Sequence, residues 1–200
     1  MPRPELHPTD SILDAARTLV LDGGVRAATL DGIVAASGAP KGSIYHRFAT
    51  LNDLLAAMWI RAVRRAREHA AEKTHEREDP VEAAVAAGLA LHDFAVSHPA
   101  DARLLVAFRR EDLVSSVKSP ELVEALLTLN APLEDSLTDL ARRLYGRASR
   151  TAVEQTALAV VDLPLGAIRR HLVAGTPLPR SLRSQLEAAI RAALVAGREP

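Results

Sequence analysis

Cysteine is absent from this 200-residue chain, which excludes disulfide staples, thiolate metal sites and cysteine nucleophiles. The absence fits a reducing compartment, and a cytoplasmic location is the expectation. Aromatic residues are scarce, at 3%. Strands draw heavily on aromatic and β-branched residues, so a β-sandwich is disfavoured and the Ala- and Leu-rich composition favours helices. No apolar run approaches the ~20 residues that a bilayer span needs. The opening Met1-Pro2-Arg3-Pro4-Glu5 also lacks the apolar stretch of a signal peptide, so no membrane is expected as a partner. Net charge is missing too, since 25 basic and 25 acidic residues cancel. That counts mildly against nonspecific polyanion binding by the whole molecule, but distribution matters more than the sum.

What is present is globular material, 48% hydrophobic and 25% charged. The length suffices for a small domain and a larger helical one sharing a continuous core. Between Asp31 and Asp53 there is no acidic residue, while Lys41, His46 and Arg47 fall inside. A polyanion can approach that window without meeting a carboxylate.

The spacing predicts an all-α chain. Thr9 or Asp10 caps a first helix in which Ile12, Ala15, Ala16, Leu19 and Val20 share a face, and Gly23-Gly24 stops it. Asp10 and Asp14 lie toward its positive end. Thr29 caps a short second helix, Leu30 to Ser37, and Gly38 supplies a left-handed turn. Pro40 suits the first turn of a third helix within Pro40–Phe48, whose Ile44 and Phe48 face inward. Thr50 and Asp53 form a capping box that opens a long fourth helix reaching about Glu76. Further helical segments follow at about 80–97, 99–113, 119–145, 150–173 and 180–196. Pro132 and Pro164 each predict a kink or break.

Two short helices joined by a tight glycine-containing turn are the helix-turn-helix arrangement. In it the first helix braces across the DNA backbone, while the second presents its N-terminal residues to the major groove. Gly42 and Ser43 are small enough to let that helix approach closely, and Lys41 offers a phosphate or guanine contact. Tyr45 and His46 offer a phenol and an imidazole. The Thr29 hydroxyl, with the neighbouring helix amides, can hold a phosphate.

The string Thr29-Leu-Asp-Gly-Ile-Val-Ala-Ala-Ser-Gly-Ala-Pro-Lys-Gly-Ser-Ile-Tyr-His-Arg-Phe48 resembles the recognition motif of tetracycline-repressor-type (TetR/AcrR) transcriptional regulators. The likeness covers about residues 8–60, including Ile12-Leu-Asp-Ala-Ala-Arg17 and Gly23-Gly24. It implies a DNA-binding domain at 1–50 (motif 29–48) and a helical effector-binding and dimerisation domain at 51–200. The function implied is a transcriptional regulator, expected to be a repressor that leaves its operator when a small-molecule effector binds. The resemblance makes Thr29 and Tyr45 backbone contacts and puts Lys41, Gly42, Ser43 and His46 on the DNA-facing side. Arg47 is a further candidate contact, its alternative a solvated surface charge. This chain departs from the pattern at Gly32, Ala39 and Leu51, the last standing where many members carry a phosphate-binding Lys. Arg47 or Asn52 is the candidate replacement.

A dimer on a palindromic double-stranded operator is implied, with a seam built from the last two helices. The candidate stripe is Val153, Ala157, Val160, Ile168 and Leu172 on one helix and Leu182, Leu186, Ala189, Ile190 and Ala193 on the other. The competing reading is that these stripes face the chain's own core. A small apolar or amphipathic effector is expected among Trp59, Val63, Leu89, Phe94, Leu104, Phe108, Leu126 and Val161, with His92, Arg109 or Asp162 as polar handles. Arg61, Arg64, Arg65 and Arg67 are expected to be a solvated helix face. No nucleophile elbow, carboxylate pair or metal-ligand spacing appears, so neither enzymatic activity nor a cofactor is expected. The alternative from another class is an all-α small-molecule binding protein with weak or lost DNA binding.

Overall fold

Local capping chemistry sets most of the helix boundaries in the computed structural model, which describes residues 9–74 and 77–196. Helix α1 spans Thr9–Gly23 and ends at Gly24, whose φ of 78° suits glycine. A single 3₁₀ turn, Val25–Ala27, leads to Thr29, whose hydroxyl accepts the Gly32 N–H at 3.2 Å and caps α2 (Leu30–Ser37). Gly38, at φ 69°, closes α2. Helix α3 (Lys41–Arg47) follows, with Pro40 as the residue just before its first turn. Helix α4 runs Leu51–Thr74; the expected end at Glu76 lies outside the described residues.

Then come α5 (Pro80–Ser97), α6 (Pro99–Ala107), α7 (Arg110–Ser116), α8 (Pro120–Thr128) and α9 (Ala131–Tyr145). Asp79 and Ser119 cap α5 and α8, each followed by a proline in the first turn. The single helix expected over 99–113 is instead two, because Arg109 adopts an extended conformation (φ −100°, ψ 134°) before α7. The break expected near Pro132 separates α8 from α9.

The chain continues as α10 (Arg150–Ala157), α11 (Leu163–Ala174) and α12 (Leu182–Ala196). A π-turn, Leu158–Asp162, joins α10 to α11. Pro164 explains it: the ring would clash with the carbonyl four residues back and offers no N–H. The backbone widens there, and Leu163 N–H bonds to the Leu158 carbonyl. Among the described residues one helical stretch, Arg150–Ala174, is long and apolar enough to span a bilayer, but its Ala159, Val160, Ile168 and Leu172 are buried by packing within the protein. No strand occurs among the described residues.

Two compact units result. The first holds the chain up to Val63 together with Arg103–Leu129, so it extends past residue 50. Its core gathers Ile12, Ala16, Ile33, Ile44, Leu54, Met58 and Leu104, all essentially without solvent contact. A neighbouring cluster contains Ala56, Trp59, Ile60, Leu113, Leu126 and Leu129. Arg61 reaches Asp10 at 2.5 Å and Asp14 at 2.6 Å. That arginine therefore ties α4 to the first turns of α1 and is not merely solvated, contrary to the sequence expectation.

The second unit holds Arg64–Ala102 and the chain from Asn130 onward. Here α5 packs against α9, the π-turn, α11 and α12. Gly88 of α5 lets α12 approach, since a Cβ there would fall 2.6 Å from Ile190 Cδ1. Arg191 bridges Glu82 (2.7 Å) and Glu187 (3.0 Å), and Arg183 grips Asp93 with two bonds of 2.9 and 3.2 Å. Arg65 pairs with the buried Asp101 at 2.9 Å, so a second arginine of the expected solvated face is structural.

The candidate dimer stripe divides. Ile168, Leu172, Leu182, Leu186, Ile190 and Val160 are buried within this chain. Apolar periodicity shows that a face is covered but not which chain covers it, and for these six the cover is the chain's own core. Val153, Ala157 and Ala193 are half-buried and Ala189 is exposed.

Candidate nucleic-acid interface

The turn between α2 and α3 is built from short-range bonds. Ser37 Oγ donates to the Ile33 carbonyl at 2.7 Å and accepts the Ala39 N–H at 3.2 Å. Ala39 itself is fully buried, so a small side chain fits the space beneath the turn. Ile44 and Phe48 anchor α3 into the first unit's core alongside Ile33. Leu51 packs on the same core and is only partly exposed.

Anchoring one side of α3 leaves the other in solvent. Lys41, Gly42, Tyr45 and His46 are exposed, Ser43 and Arg47 are half-buried, and Thr29 is exposed at the head of α2. Tyr45 has 52% of its surface free. A Cβ added at Gly42 would meet nothing within 4 Å, so its lack of a side chain answers no packing need within the protein. All seven sequence-derived contact candidates therefore lie on α3 or the α2 cap.

Three polar side chains on or beside this surface already have partners. Lys41 Nζ donates to Asp31 Oδ1 at 3.0 Å, and that carboxylate raises the lysine pKa, first by the hydrogen bond and then by its charge. Arg47 Nη1 donates to Ser43 Oγ at 2.6 Å and to the Ser43 carbonyl at 3.3 Å. Asn52, a candidate substitute for the lysine missing at position 51, gives its amide to the Ser116 carbonyl at 3.3 Å.

The acid-free window is thus bounded by two carboxylates with specific tasks. Asp31 meets Lys41. Asp53 is fully buried and accepts the backbone N–H groups of Lys118 (2.9 Å) and Ser119 (3.1 Å) on one oxygen. Its other oxygen takes the Thr50 hydroxyl at 2.8 Å, completing the expected cap at the head of α4. Burial pushes this carboxyl upward, but the bonds from Thr50, Ser119 and Lys118 outweigh it and hold the pKa below its ordinary value. The cap was legible in the sequence, but the Asp31–Lys41 pair and the bonds from Asp53 to Lys118 and Ser119 were not, because spacing does not show a partner across a turn.

The candidate effector residues scatter. Trp59, Val63, Phe108 and Leu126 meet in the second cluster of the first unit, where the buried Trp59 Nε1 has no hydrogen-bond partner. Leu104 belongs to the core beneath α3, and Arg109 is exposed before α7. In the second unit, His92 is buried with Nδ1 3.1 Å from Asp93 Oδ1, and Phe94 is buried against the rings of His69 and His98. Leu89 borders a small depression, with Asp93 and Arg183 on its wall. Val161 lines a groove of about 800 Å³ together with Ala83, Ala87, Leu133, Leu137 and Leu140, which sequence reading did not single out. The exposed Leu133 on amphipathic α9 is the signal that would have found it. Asp162 is exposed.

A short bracing helix, a left-handed glycine turn and a second helix with one face bare define a helix-turn-helix DNA-binding domain. Residues 12–58 match the model for bacterial regulatory proteins of the tetR family. Over that N-terminal stretch the chain is similar to the DNA-binding domain of the family.

No curated protein sequence matches the chain. Solved structures share its fold along nearly its whole length. A transcriptional regulator from Rhodococcus sp. Rha1 is 16% identical, with a TM-score of 0.71 and 96% of this chain and 98% of that one covered. The fatty acid degradation regulator FadR from Bacillus halodurans is 15% identical, with a TM-score of 0.70 and coverage of 94% and 98%. The TetR-family regulator PfmR from Thermus thermophilus is 21% identical, with a TM-score of 0.64 and coverage of 94% and 99%.

Proposed function

We propose that this chain is a TetR-family DNA-binding transcriptional regulator, a repressor that binds a two-fold symmetric operator as a homodimer in the bacterial cytoplasm and leaves it when a small effector binds. The observation that carries the reading is the division of labour between the two units. The bare face of α3 belongs to one, and a roomy, mostly aliphatic groove of about 800 Å³ belongs to the other. That volume is in the range of small-molecule sites. Arg64, Arg67 and Glu68 at the groove, above a floor of alanine, leucine and valine, suit an amphipathic molecule better than a purely apolar one.

On this reading Thr29 and Tyr45 hold phosphates, while Lys41, Gly42, Ser43, His46 and Arg47 meet the groove of the DNA. The Thr29 oxygen accepts from Gly32, which leaves its hydroxyl hydrogen free to donate to a phosphate. Each protomer reads a half-site, with centres about one helical turn, ~34–36 Å, apart. The dimer seam uses the outward faces of α11 and α12, where Gly166, Val173, Ala189 and Ala192 are exposed. Effector binding favours a dimer state in which the two α3 helices stand at the wrong separation, and the operator-bound population falls by as much as the differential affinity allows. The multidrug binding protein EbrR, solved with imidazole, shares the fold at 19% identity and a TM-score of 0.55 and supports a ligand-responsive reading. KstR2 of Mycobacterium tuberculosis, described as a ketosteroid regulator, does so too.

A gel-shift titration with the DNA upstream of the chain's own gene, repeated with candidate amphipathic molecules, tests the proposal. The expected result is a palindrome-dependent shift that one of them abolishes. A shift that no ligand affects would leave a constitutive regulator. No shift at moderate salt would favour a small-molecule binding protein.

A further inference from the structure

We infer that Asp31 is a specificity-determining residue: paired with Lys41, it makes that lysine a reader of guanine and not a phosphate clamp. The inference rests on the reading of α3 as the DNA-facing helix and concerns what that helix reads.

The geometry is direct. Lys41 opens α3 and Asp31 lies in the first turn of α2, and their side chains close to 3.0 Å across the helix-turn-helix. Both remain open to solvent, with 54% of the lysine side chain and 86% of the aspartate side chain exposed. The pair therefore sits on the outer surface, where DNA would arrive, and not beneath it. Lysine has three donors and this bond uses one, so two are left. Asp31 Oδ2 accepts from no described residue.

Charge decides what such a pair can meet. A lone lysine binds a phosphate as a point charge and releases counterions when it does so. Beside an aspartate the local charge is zero, and a phosphate approaching Lys41 also approaches a carboxylate of its own sign. Base edges carry no such penalty. Guanine O6 and N7 are uncharged acceptors for the two remaining lysine donors, and the cytosine N4 amino group is a donor for the free carboxylate oxygen. A neutral donor–acceptor pair on one surface matches a G·C pair in the major groove and rejects the backbone.

Asp31 also lies where an acid favours the helix dipole, so the test must separate the two roles. The full-length protein and its Asp31→Asn variant are each used to select from a pool of randomised duplexes of about three helical turns, long enough for two half-sites one turn apart. Their binding to a random-sequence duplex is then followed as a function of salt. The wild-type motif is expected to contain a G·C pair in each half-site at which the variant loses roughly tenfold or more of its preference, the range of a single good base contact. The variant should bind the random-sequence duplex more tightly, with a salt slope steeper by about one per subunit. In a Lys41→Gln background the Asp31→Asn change should alter neither quantity, whereas a purely helix-stabilising role would not depend on Lys41. Identical motifs and slopes for wild type and Asp31→Asn, with Lys41→Ala still weakening binding, would overturn the inference and leave α3 as the DNA-facing helix. If Lys41→Ala also changes nothing, the inference and the contact assignment fall together.

Discussion

Asp53 of α4 and Ser119, the N-cap of α8, are joined by a carboxylate-to-amide bond of 3.1 Å that spans more than sixty residues of sequence. The same oxygen takes Lys118 N–H, and the other takes the Thr50 hydroxyl. One buried side chain thus serves the cap of the helix that follows α3 and pins the α7–α8 turn to it.

Asp53→Ala should lower unfolding stability by about 2–4 kcal/mol, because it strands buried amides that now bond to a charged acceptor. Asp53→Asn should cost less, and urea titration monitored by circular dichroism distinguishes the two. The native state holds this carboxyl below its ordinary value of 3.8. Its contribution is therefore complete above about pH 4 and is lost as pH falls through the native value. Wild type should show that acid-side loss and Asp53→Asn should not.

Gly88→Ala puts a Cβ against Ile190 Cδ1 at 2.6 Å, and Ile190 is fully buried and has little room to move. We expect a loss of about 1 kcal/mol, the overpacking outweighing the gain in helix propensity. In an Ile190→Val background, which deletes the clashing methyl, the same Gly88→Ala change should be neutral or stabilising. Thermal melts of the four proteins check the reversal of sign.

Gly42→Ala should leave the melting temperature unchanged or raise it slightly, since the new methyl meets nothing in the protein. On DNA the methyl would meet the groove wall, with a loss of roughly tenfold in affinity if the fit is close. Fluorescence anisotropy with a labelled duplex reads this.

Tyr45→Phe removes only a hydroxyl from a side chain that is half exposed. The fold should be indifferent, and affinity for DNA should fall about tenfold, as expected for a hydrogen bond to a charged phosphate. Equal affinities would refute the backbone contact.

Ala71→Trp fills the groove of the second unit from an exposed position. The variant should melt like wild type and still bind DNA, but should lose its response to effector. A retained response would place the effector elsewhere.

Much of this was legible because it is local. The Thr29 cap, the bounds of α2, the positive φ at Gly38 and the capping box at Thr50 and Asp53 each depend on residues within a few positions of one another. The break at Arg109 was not, because no glycine or proline marks it and an extended arginine leaves no trace in periodicity. Long-range partners were equally hidden. Nothing in the spacing says that Asp31 turns to Lys41, that Arg61 reaches Asp10 and Asp14, or that the backbone of Lys118 and Ser119 needs Asp53. The apolar stripes of α11 and α12 were visible, but their occupant was not, and Ile168 and Ile190 turn out to serve the chain's own core.

The bare face of α3 is proposed to read DNA from a two-fold dimer, and hydroxyl-radical footprinting of the full-length protein on a selected duplex tests this most directly. Two backbone windows are predicted on one side of the duplex, related by a dyad and centred about one helical turn apart, with protection weakened in Tyr45→Phe. A footprint without dyad symmetry, or one equally strong with Tyr45→Phe and Lys41→Ala, would contradict it.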